Sequence, residues 1–135
     1  MFCLDTNIII GVMTRRLPKA VDRLAIELAA ESAFFVSVIV HYELAFGALK
    51  SAFPGSNIER LAIFLTQFPA ATPFDVADAQ EAGEIRAELE RRGQPIGPCD
   101  VLIAAQVRRR GATLITNNVR EFARVPGLDI TDWGA

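Results

Sequence analysis

The amino-acid sequence predicts an α/β fold in which helices flank a central, mainly parallel sheet of about five short strands, within one domain over residues 1–135. Two observations predict this class. Short apolar or β-branched runs alternate along the chain with segments of helical periodicity, which is typical of parallel sheets covered by helices. In addition, 51% of the residues are hydrophobic, and a chain of this length buries roughly two-thirds of its unfolded surface in one core.

The N-terminal segment predicts a strand and two helices. Phe2–Leu4 is a short apolar strand, and the Asp-Thr-Asn that begins at Asp5 is a typical helix start leading into Ile8–Met13. Pro18 suits the first position of a second helix, where its missing N–H needs no partner.

The next segment predicts a strand, Phe34–Ser37, and a helix, Val38–Lys50, that is apolar on almost every side. Glu43 lies in the middle of that helix and must pair, protonate or bind a cation, because a lone buried carboxylate is costly. After a Phe-Pro-Gly turn, Ser56 is expected to cap a helix that reaches Phe68.

A third strand, Ala71–Phe74, precedes Asp75, which is placed to cap the amphipathic helix Val76–Arg92. Asp100 stands at the start of a further helix, Val101–Arg110, which Gly111 ends. The last two predicted strands are Thr113–Thr116 and Leu128–Thr131.

Four acids are the candidate catalytic residues: Asp5, Glu43, Asp100 and Glu121. Ligands in α/β folds bind at the carboxyl ends of the strands, where Asp5 and Glu121 follow predicted strands. The spacing alone does not bring Asp100 to the same edge. Each acid also has a structural alternative: Asp5 as a turn or cap, Asp100 as an N-cap, Glu43 as a structural acid and Glu121 as a solvated one.

Carboxylates that converge at one edge repel one another and need a cation. Oxygen ligands without His or Cys spacing favour Mg²⁺ or Mn²⁺. Such ions serve phosphoryl chemistry by polarising phosphates and activating water.

Composition limits the classes of partner. The net charge is −2 and the pI about 5.4, so any nucleic-acid contact must come from local groups of arginines. These groups are Arg15–Arg16, Arg91–Arg92, Arg108–Arg110, and Arg120 with Arg124, and a helix C-terminus explains Arg108–Arg110 equally well. Two cysteines are too few for a disulfide framework, no signal peptide is recognisable, and the most apolar segment is too short and too polar to span a bilayer. We therefore expect a cytoplasmic protein that does not bind a membrane.

Several motifs, in order, resemble the PIN-domain ribonucleases, and most closely the VapC-type toxins of bacterial toxin–antitoxin pairs. They are LDTN at 4–7, the helix-borne Glu43, GPCDVLIAAQ around Asp100, and ITNNVREFARVPGL at 115–128. LDITDW at 128–133 is also similar to the end of these toxins. The resemblance covers nearly the whole chain and implies a three-layer PIN-like fold.

The resemblance implies that Asp5, Glu43 and Asp100 bind Mg²⁺ or Mn²⁺. It assigns supporting positions to Thr6, Asn7, Thr116, Asn117 and Asn118. Where many PIN domains have Asp in a T-x-D element this chain has Asn118, and a subset of the family places the acid three residues later, here Glu121. Which of the two completes the site stays open at this point.

The resemblance also implies hydrolysis of structured RNA such as tRNA, homodimerisation, and inhibition by a VapB-type antitoxin. In the implied mechanism a metal-activated water attacks the phosphodiester, no protein nucleophile is needed, and arginines outside the pocket hold the RNA backbone. The apolar segments Phe34–Phe46 and Leu61–Phe68 offer room for a dimer or antitoxin surface, although core packing explains most of them.

Three other functions fit the sequence less well. A phosphoacceptor domain would need a second early acid or a lysine near the last strands, but position 7 is Asn7 and the only lysines are Lys19 and Lys50. A flap-type DNA nuclease would need additional length. A catalytically inactive PIN-like module that binds RNA or protein is the main alternative, which Asn118 favours and the other acids oppose.

Overall fold

The computed structural model describes residues 1–135, with seven helices and three strands. The helices are α1 (Thr6–Met13), α2 (Pro18–Ala29), α3 (Val38–Lys50), α4 (Pro54–Leu65), α5 (Val76–Arg91), α6 (Pro98–Arg109) and α7 (Val119–Phe122). The strands are β1 (Phe2–Leu4), β2 (Thr113–Ile115) and β3 (Asp129–Thr131).

The three strands form one parallel sheet in the order β1–β2–β3. Phe2 pairs with Thr113, and Thr113 pairs with Asp129 on its other side. Because parallel neighbours need a crossover, the chain passes through α1–α6 between β1 and β2, and through α7 between β2 and β3. The α/β class with a parallel sheet is thus confirmed.

Three strands form in place of about five. The predicted strands at 34–37 and 71–74 make only two isolated parallel bridges: the first segment pairs Phe34 with Phe2 and Ser37 with Thr72, and the second takes part only in the latter. The first ladder stops because the backbone of Ser37 hydrogen-bonds the thiol of Cys3 and the chain then enters α3. The second stops at Pro73, which has no N–H to donate.

Including these bridges, the extended segments lie in the order 72, 34–37, β1, β2, β3. The chain therefore moves to one side of β1 first and returns to its other side later. The switch point of the sheet lies between β1 and β2, and this is where open α/β sheets bind ligands.

Two predicted helix starts are wrong. α4 begins at Pro54 with Phe53 as its N-cap, and it ends at Leu65, so Ser56 lies inside its first turn. α6 begins at Pro98 with Gly97 as its N-cap. Asp100 therefore lies in the first turn of α6 and does not cap the helix, which removes the structural alternative for this acid.

The cap of α5 is confirmed and extended. The Asp75 side chain accepts a hydrogen bond from the backbone of Asp78, and the Asp78 side chain accepts one from the backbone of Asp75, which forms a capping box. Asp78 is fully buried and is also paired with Arg109 at 2.7 Å and Arg110 at 2.9 Å. Although burial opposes its ionisation, hydrogen bonds from Arg110, the Asp75 backbone and Arg109 hold the pKa of Asp78 well below its usual range.

The three arginines at the end of α6 thus stabilise the fold through ion pairs and packing contacts. Arg108 pairs with Glu81 at 2.9 Å and donates to the carbonyl of Pro126. Arg110 also lies over the ring of Phe35. These arginines tie α6 to α5 and the core, and so they are not the ones that would meet a nucleic acid.

An aromatic cluster closes the other end of the sheet. Trp133 is buried and packs edge-on against Phe2, with ring centroids 5.2 Å apart, and against Phe34. The guanidinium of Arg23 lies over the same indole ring. Trp133 thus anchors the segment after β3 to β1. None of the seven helices combines the length and apolar character that crossing a lipid bilayer requires.

Asp78→Ala is expected to lower the free energy of unfolding by about 3–5 kcal/mol, because it leaves two arginines without their buried partner and breaks the capping box. Urea denaturation followed by circular dichroism measures this change. Glu90→Ala, which removes an exposed ion pair with Arg86, is the matched control and should change stability little. Equal effects of the two variants would contradict the prediction.

Candidate active site

The four predicted acids belong to four different elements that meet at the switch point. Asp5 directly follows β1 and is the N-cap of α1, and Glu43 lies on α3. Asp100 lies in the first turn of α6, and Glu121 lies on α7, just after β2. Hydrogen bonds through Thr6, Thr116 and Asn118 link three of the acids, and their charges act on Asp100, so all four face the same crevice.

Asp5 is held by hydrogen bonds to both of its carboxylate oxygens. The backbone N–H of Thr6 donates to Oδ1 at 2.9 Å, and the Thr116 hydroxyl donates to Oδ2 at 2.8 Å. Only 5% of Asp5 is exposed. Burial raises the pKa of Asp5, as do the charges of Glu43 and Glu121, while its hydrogen bonds oppose the rise.

Thr6 connects two of the acids. Its backbone N–H donates to Oδ1 of Asp5, and its hydroxyl donates to Oε1 of Glu43 at 2.6 Å. The first residue of α1 therefore fixes both the acid after β1 and the half-buried acid of α3. Thr6 and Thr116 thus both hydrogen-bond acids, in keeping with the supporting positions that the family resemblance assigns to them.

Glu121 is oriented from two sides. The side-chain amide of Asn118 donates to Oε2 at 2.5 Å, and the backbone N–H of Gly97 donates to Oε1 at 3.1 Å. The hydrogen bond from Asn118 lowers the pKa of Glu121 most, the bond from Gly97 adds to this, and burial opposes it. The backbone N–H of Asn118 in turn donates to the Thr116 hydroxyl, so a chain of hydrogen bonds runs from Asp5 to Glu121.

Asp100 carries the largest pKa shift of the cluster. Burial, the negative charges of Asp5 and Glu121, a hydrogen bond shared with Glu121 and the charge of Glu43 raise the pKa of Asp100 to about 7. Its carboxyl group therefore holds a proton up to neutral pH in the metal-free protein. A pKa of this size is a mark of functional carboxylates.

Gly97 is a site residue that the sequence analysis missed. Its N–H contacts Glu121, and a Cβ built on Gly97 would lie 3.2 Å from Oδ2 of Asp100. The Gly-Pro pair that precedes Asp100 is the signal that could have found it, because glycine allows close approach of a backbone to a functional group. Asn7 and Asn117 are exposed, and no hydrogen bond to the four acids comes from them.

The donor set fits a hard divalent cation. All four charged groups are carboxylates, and no Lys or Arg forms an ion pair with any of them. Mg²⁺ and Mn²⁺ prefer such oxygen ligands together with water. No three His, Cys, Asp or Glu side chains stand close enough around one point to hold an ion in this conformation, so binding would require the carboxylates to close in.

Comparison with known proteins gives a consistent family. Residues 2–128 match the model of the PIN domain. Over 132 residues the chain is 38% identical to the tRNA(fMet)-specific endonuclease VapC of Shigella flexneri, covering 98% of this chain and 97% of that protein. It is 35% identical to ribonuclease VapC2 of Rickettsia felis, with 98% of both chains covered.

Solved structures agree with these relatives. The VapBC2 complex of Rickettsia felis, bound to a DNA fragment from its promoter, contains a chain that superposes with a TM-score of 0.90 at 33% identity, covering 98% of both chains. DNA-bound VapBC from Salmonella typhimurium gives a TM-score of 0.88 at 36% identity, covering 98% of this chain and 97% of that one.

Asp100→Asn is expected to stabilise the metal-free protein at neutral pH. An unfolded Asp loses its proton near pH 4, whereas folded Asp100 keeps it to about pH 7. Between these values the folded state binds more protons than the unfolded state, so the contribution of Asp100 to the free energy of unfolding falls as pH rises. The advantage of the variant should grow from near zero at about pH 4 to about 1–2 kcal/mol above pH 7, after allowance for solvent screening.

Urea denaturation in EDTA at several pH values between about 4 and 8 measures this difference. Because other groups with shifted pKa values are common to both proteins, their contributions cancel in the comparison. A difference that does not change with pH would contradict the repulsion inferred for Asp100.

Proposed function

Because the chain belongs to the PIN-domain family, and within it to the VapC ribonucleases, we propose that it is a metal-dependent endoribonuclease toxin. One observation carries the proposal: four carboxylates from four elements converge at the switch point of the sheet, with no cationic side chain paired to them. Mg²⁺ or Mn²⁺ would be held by Asp5, Glu43 and Asp100. The reaction is hydrolysis of an RNA phosphodiester.

Each residue has a separate task in this mechanism. Bound at the site, the divalent cation would supply charge neutralisation and Lewis-acid activation for phosphodiester hydrolysis. Asp5 is the preorganised acid, because Thr6 and Thr116 already fix both of its oxygens. Asp100 must lose the proton that it holds up to about pH 7 before it can act as a ligand.

We propose that Glu121 supplies the fourth acid, with Asn118 as its support. Asn118 donates to Glu121 and so orients the carboxylate. The hydrogen bond shared with Asp100 raises the pKa of Asp100 and lowers that of Glu121. Glu121 therefore stays ionised beside Asp100, and the proton of Asp100 passes to solvent water as the pH rises.

Arg120 and Arg124 are the arginines placed to hold the RNA backbone. Both lie beside Glu121 in the sequence, and the charge of Arg124 reaches that carboxylate. Arg120 is exposed and forms no ion pair, whereas Arg108–Arg110 are engaged with Asp78, Glu81 and the core. Contacts from so few charges make the binding of RNA sensitive to salt.

The relatives named above give the proposal its finer detail. One is called a tRNA(fMet)-specific endonuclease, and tRNA is the proposed substrate class here. A cytoplasmic location follows from that substrate. The inactive PIN-like binding module is less well supported, because the chain keeps Asp5, Glu43 and Asp100 together with the hydroxyl groups that orient the first two.

A VapB-type antitoxin is the proposed partner, since the similar solved structures are VapBC complexes. The surface proposed for it is an apolar groove of about 240 Å³ between α1, α3 and α4. This docking groove is lined by Ile10, Met13, Thr14, Leu44, Gly47, Ala48, Asn57, Arg60 and Leu61. Ile10 and Gly47 line this groove and follow Thr6 and Glu43 by four residues on their helices, so the groove lies one helical turn from these two site residues.

A second copy of the chain is proposed to cover a different face of α3. Tyr42, Phe46 and Leu49 are 57–63% exposed and follow one another at intervals of four and three residues, so they form one stripe. This stripe points away from the buried residues Val40 and Leu44. Large apolar side chains grouped on one exposed helix face mark interaction surfaces.

The purified protein is expected to cut tRNA at discrete positions in Mg²⁺ or Mn²⁺, and to lose this activity in EDTA. Asp5→Asn preserves the size of the side chain but removes its charge, and should lower the cleavage rate at least about a hundredfold. Gel analysis of total tRNA measures the cleavage. Glu121→Gln should also lower the rate, and Asn118→Ala should lower it less, because Asn118 only orients Glu121.

The Asp5→Asn protein also controls for a contaminating nuclease. Cleavage that survives both EDTA and this substitution does not come from the acidic site. A folded, antitoxin-free preparation that cuts no RNA would overturn the enzymatic proposal in favour of the binding module.

Gly47→Gln is expected to abolish inhibition by the antitoxin while cleavage continues. Gly47 lines the docking groove, and a Cβ there meets no atom within 4 Å, so a side chain fills the groove without disturbing the helix. Cleavage assays with increasing antitoxin measure the effect. Gly83→Gln, an equally open position on α5, is the control and should leave inhibition unchanged.

A further inference from the structure

A buried hydrogen bond joins the two helices that carry Glu43 and Asp100. The hydroxyl of Ser37 donates to Oε1 of Gln106 at 2.6 Å, and both residues are fully buried. Ser37 is the N-cap of α3, and Gln106 lies near the end of α6. We call these two residues the register pair.

Every polar atom of the register pair has a defined partner. The Ser37 oxygen accepts from the backbone N–H groups of Ile39 and Val40, at 3.1 and 3.3 Å. The Gln106 side-chain amide donates to the carbonyls of Thr72 and Pro73, at 3.2 and 3.3 Å. Because these contacts use both ends of the amide, its orientation is unique, and fully satisfied buried networks of this kind hold their elements rigidly.

The position of the register pair relates directly to the acids. Glu43 follows Ser37 by six residues on α3, and Asp100 precedes Gln106 by six residues on α6. Ser37 begins α3 and contacts the end of α6, whereas Glu43 lies further along α3 and its charge acts on Asp100 at the start of α6. The two helices are therefore in contact and run in opposite directions. Six residues of helix span about 9 Å in each case, which brings both acids to the same level.

We propose that Ser37 and Gln106 are positioning residues that set the level of Glu43 relative to Asp100, and thereby the affinity of the acidic site for its divalent cation. The inference rests on the proposed metal-dependent function and deepens it. Because the register pair fixes α3 against α6 about 9 Å from the acids, it limits how far the two carboxylates can move apart. The repulsion among the acids makes such a fixed point necessary.

Mn²⁺ binding to the full chain, measured by the electron paramagnetic resonance signal of the free ion, tests the proposal. Gln106→Met keeps the length of the side chain but removes its hydrogen bonds, and should raise the Kd for Mn²⁺ about tenfold or more, as loss of groups that orient metal ligands does. Ser37→Ala should raise it similarly. The double variant should be no weaker than the weaker single variant, because both substitutions break the same hydrogen bond.

Leu24→Ala, at a buried position on α2, is the matched control for a loss of stability. Measured below the melting temperatures of all variants, its Kd should equal that of the original protein. Saturating Mn²⁺ should restore most of the RNA cleavage rate of Gln106→Met, since the register pair affects binding of the cation and does not contact the RNA.

The outcomes separate this inference from the function on which it rests. An unchanged Kd in folded Gln106→Met and Ser37→Ala, with normal binding by the original protein, overturns the positioning role alone. Multiplicative effects in the double variant overturn the shared hydrogen bond as the cause. Failure of the original protein to bind Mn²⁺ better than Asp5→Asn overturns the metal site, and the positioning role with it.

Discussion

The constraint on which this structure depends is the repulsion among carboxylates gathered in one crevice without a cationic side chain. Burial, together with the negative charges of Asp5 and Glu121, raises the pKa of Asp100 to about 7. The surrounding chain opposes this repulsion with directed hydrogen bonds from Thr6, Thr116, Asn118 and the Gly97 backbone. Grouped carboxylates of this kind lower the free energy of unfolding of the metal-free protein, and binding of a cation raises it again.

The remaining polar groups of the core serve to keep that crevice in place. Asp78 gathers Arg109 and Arg110 and fixes α5 against α6, while the register pair links α6 to α3. Contacts with α5 and with α3 thus both fix the position of α6, the helix that carries Asp100. Local basic residues that resemble a nucleic-acid contact in the sequence turn out to be internal counter-charges, and this separates the structural arginines from those near the site.

Much of the arrangement could be predicted from the sequence, and the exceptions have physical reasons. The α/β class, α3 with its Glu43, and the cap at Asp75 follow from local pattern, because periodicity and capping are properties of neighbouring residues. The lengths of the strands at 34–37 and 71–74 depend on a thiol contact and on Pro73, and are therefore tertiary. The capping alternative for Asp100 is wrong because α6 begins at Pro98, two residues before it. The contact between Ser37 and Gln106 joins residues that are 69 positions apart, and no short-range pattern encodes it.

The docking groove and the acidic site share α3 but use different residues of it. On the proposed function, a gene copy that loses Asp100 or Glu121 still encodes a folded protein with an intact groove, and loss of the charge at Asp100 relieves strain in that fold. This inactive protein would compete with the active protein for the antitoxin. A cell that carries both copies would then have less free antitoxin to inhibit the active toxin. Substitution of one of the acids would therefore act as a dominant mutation.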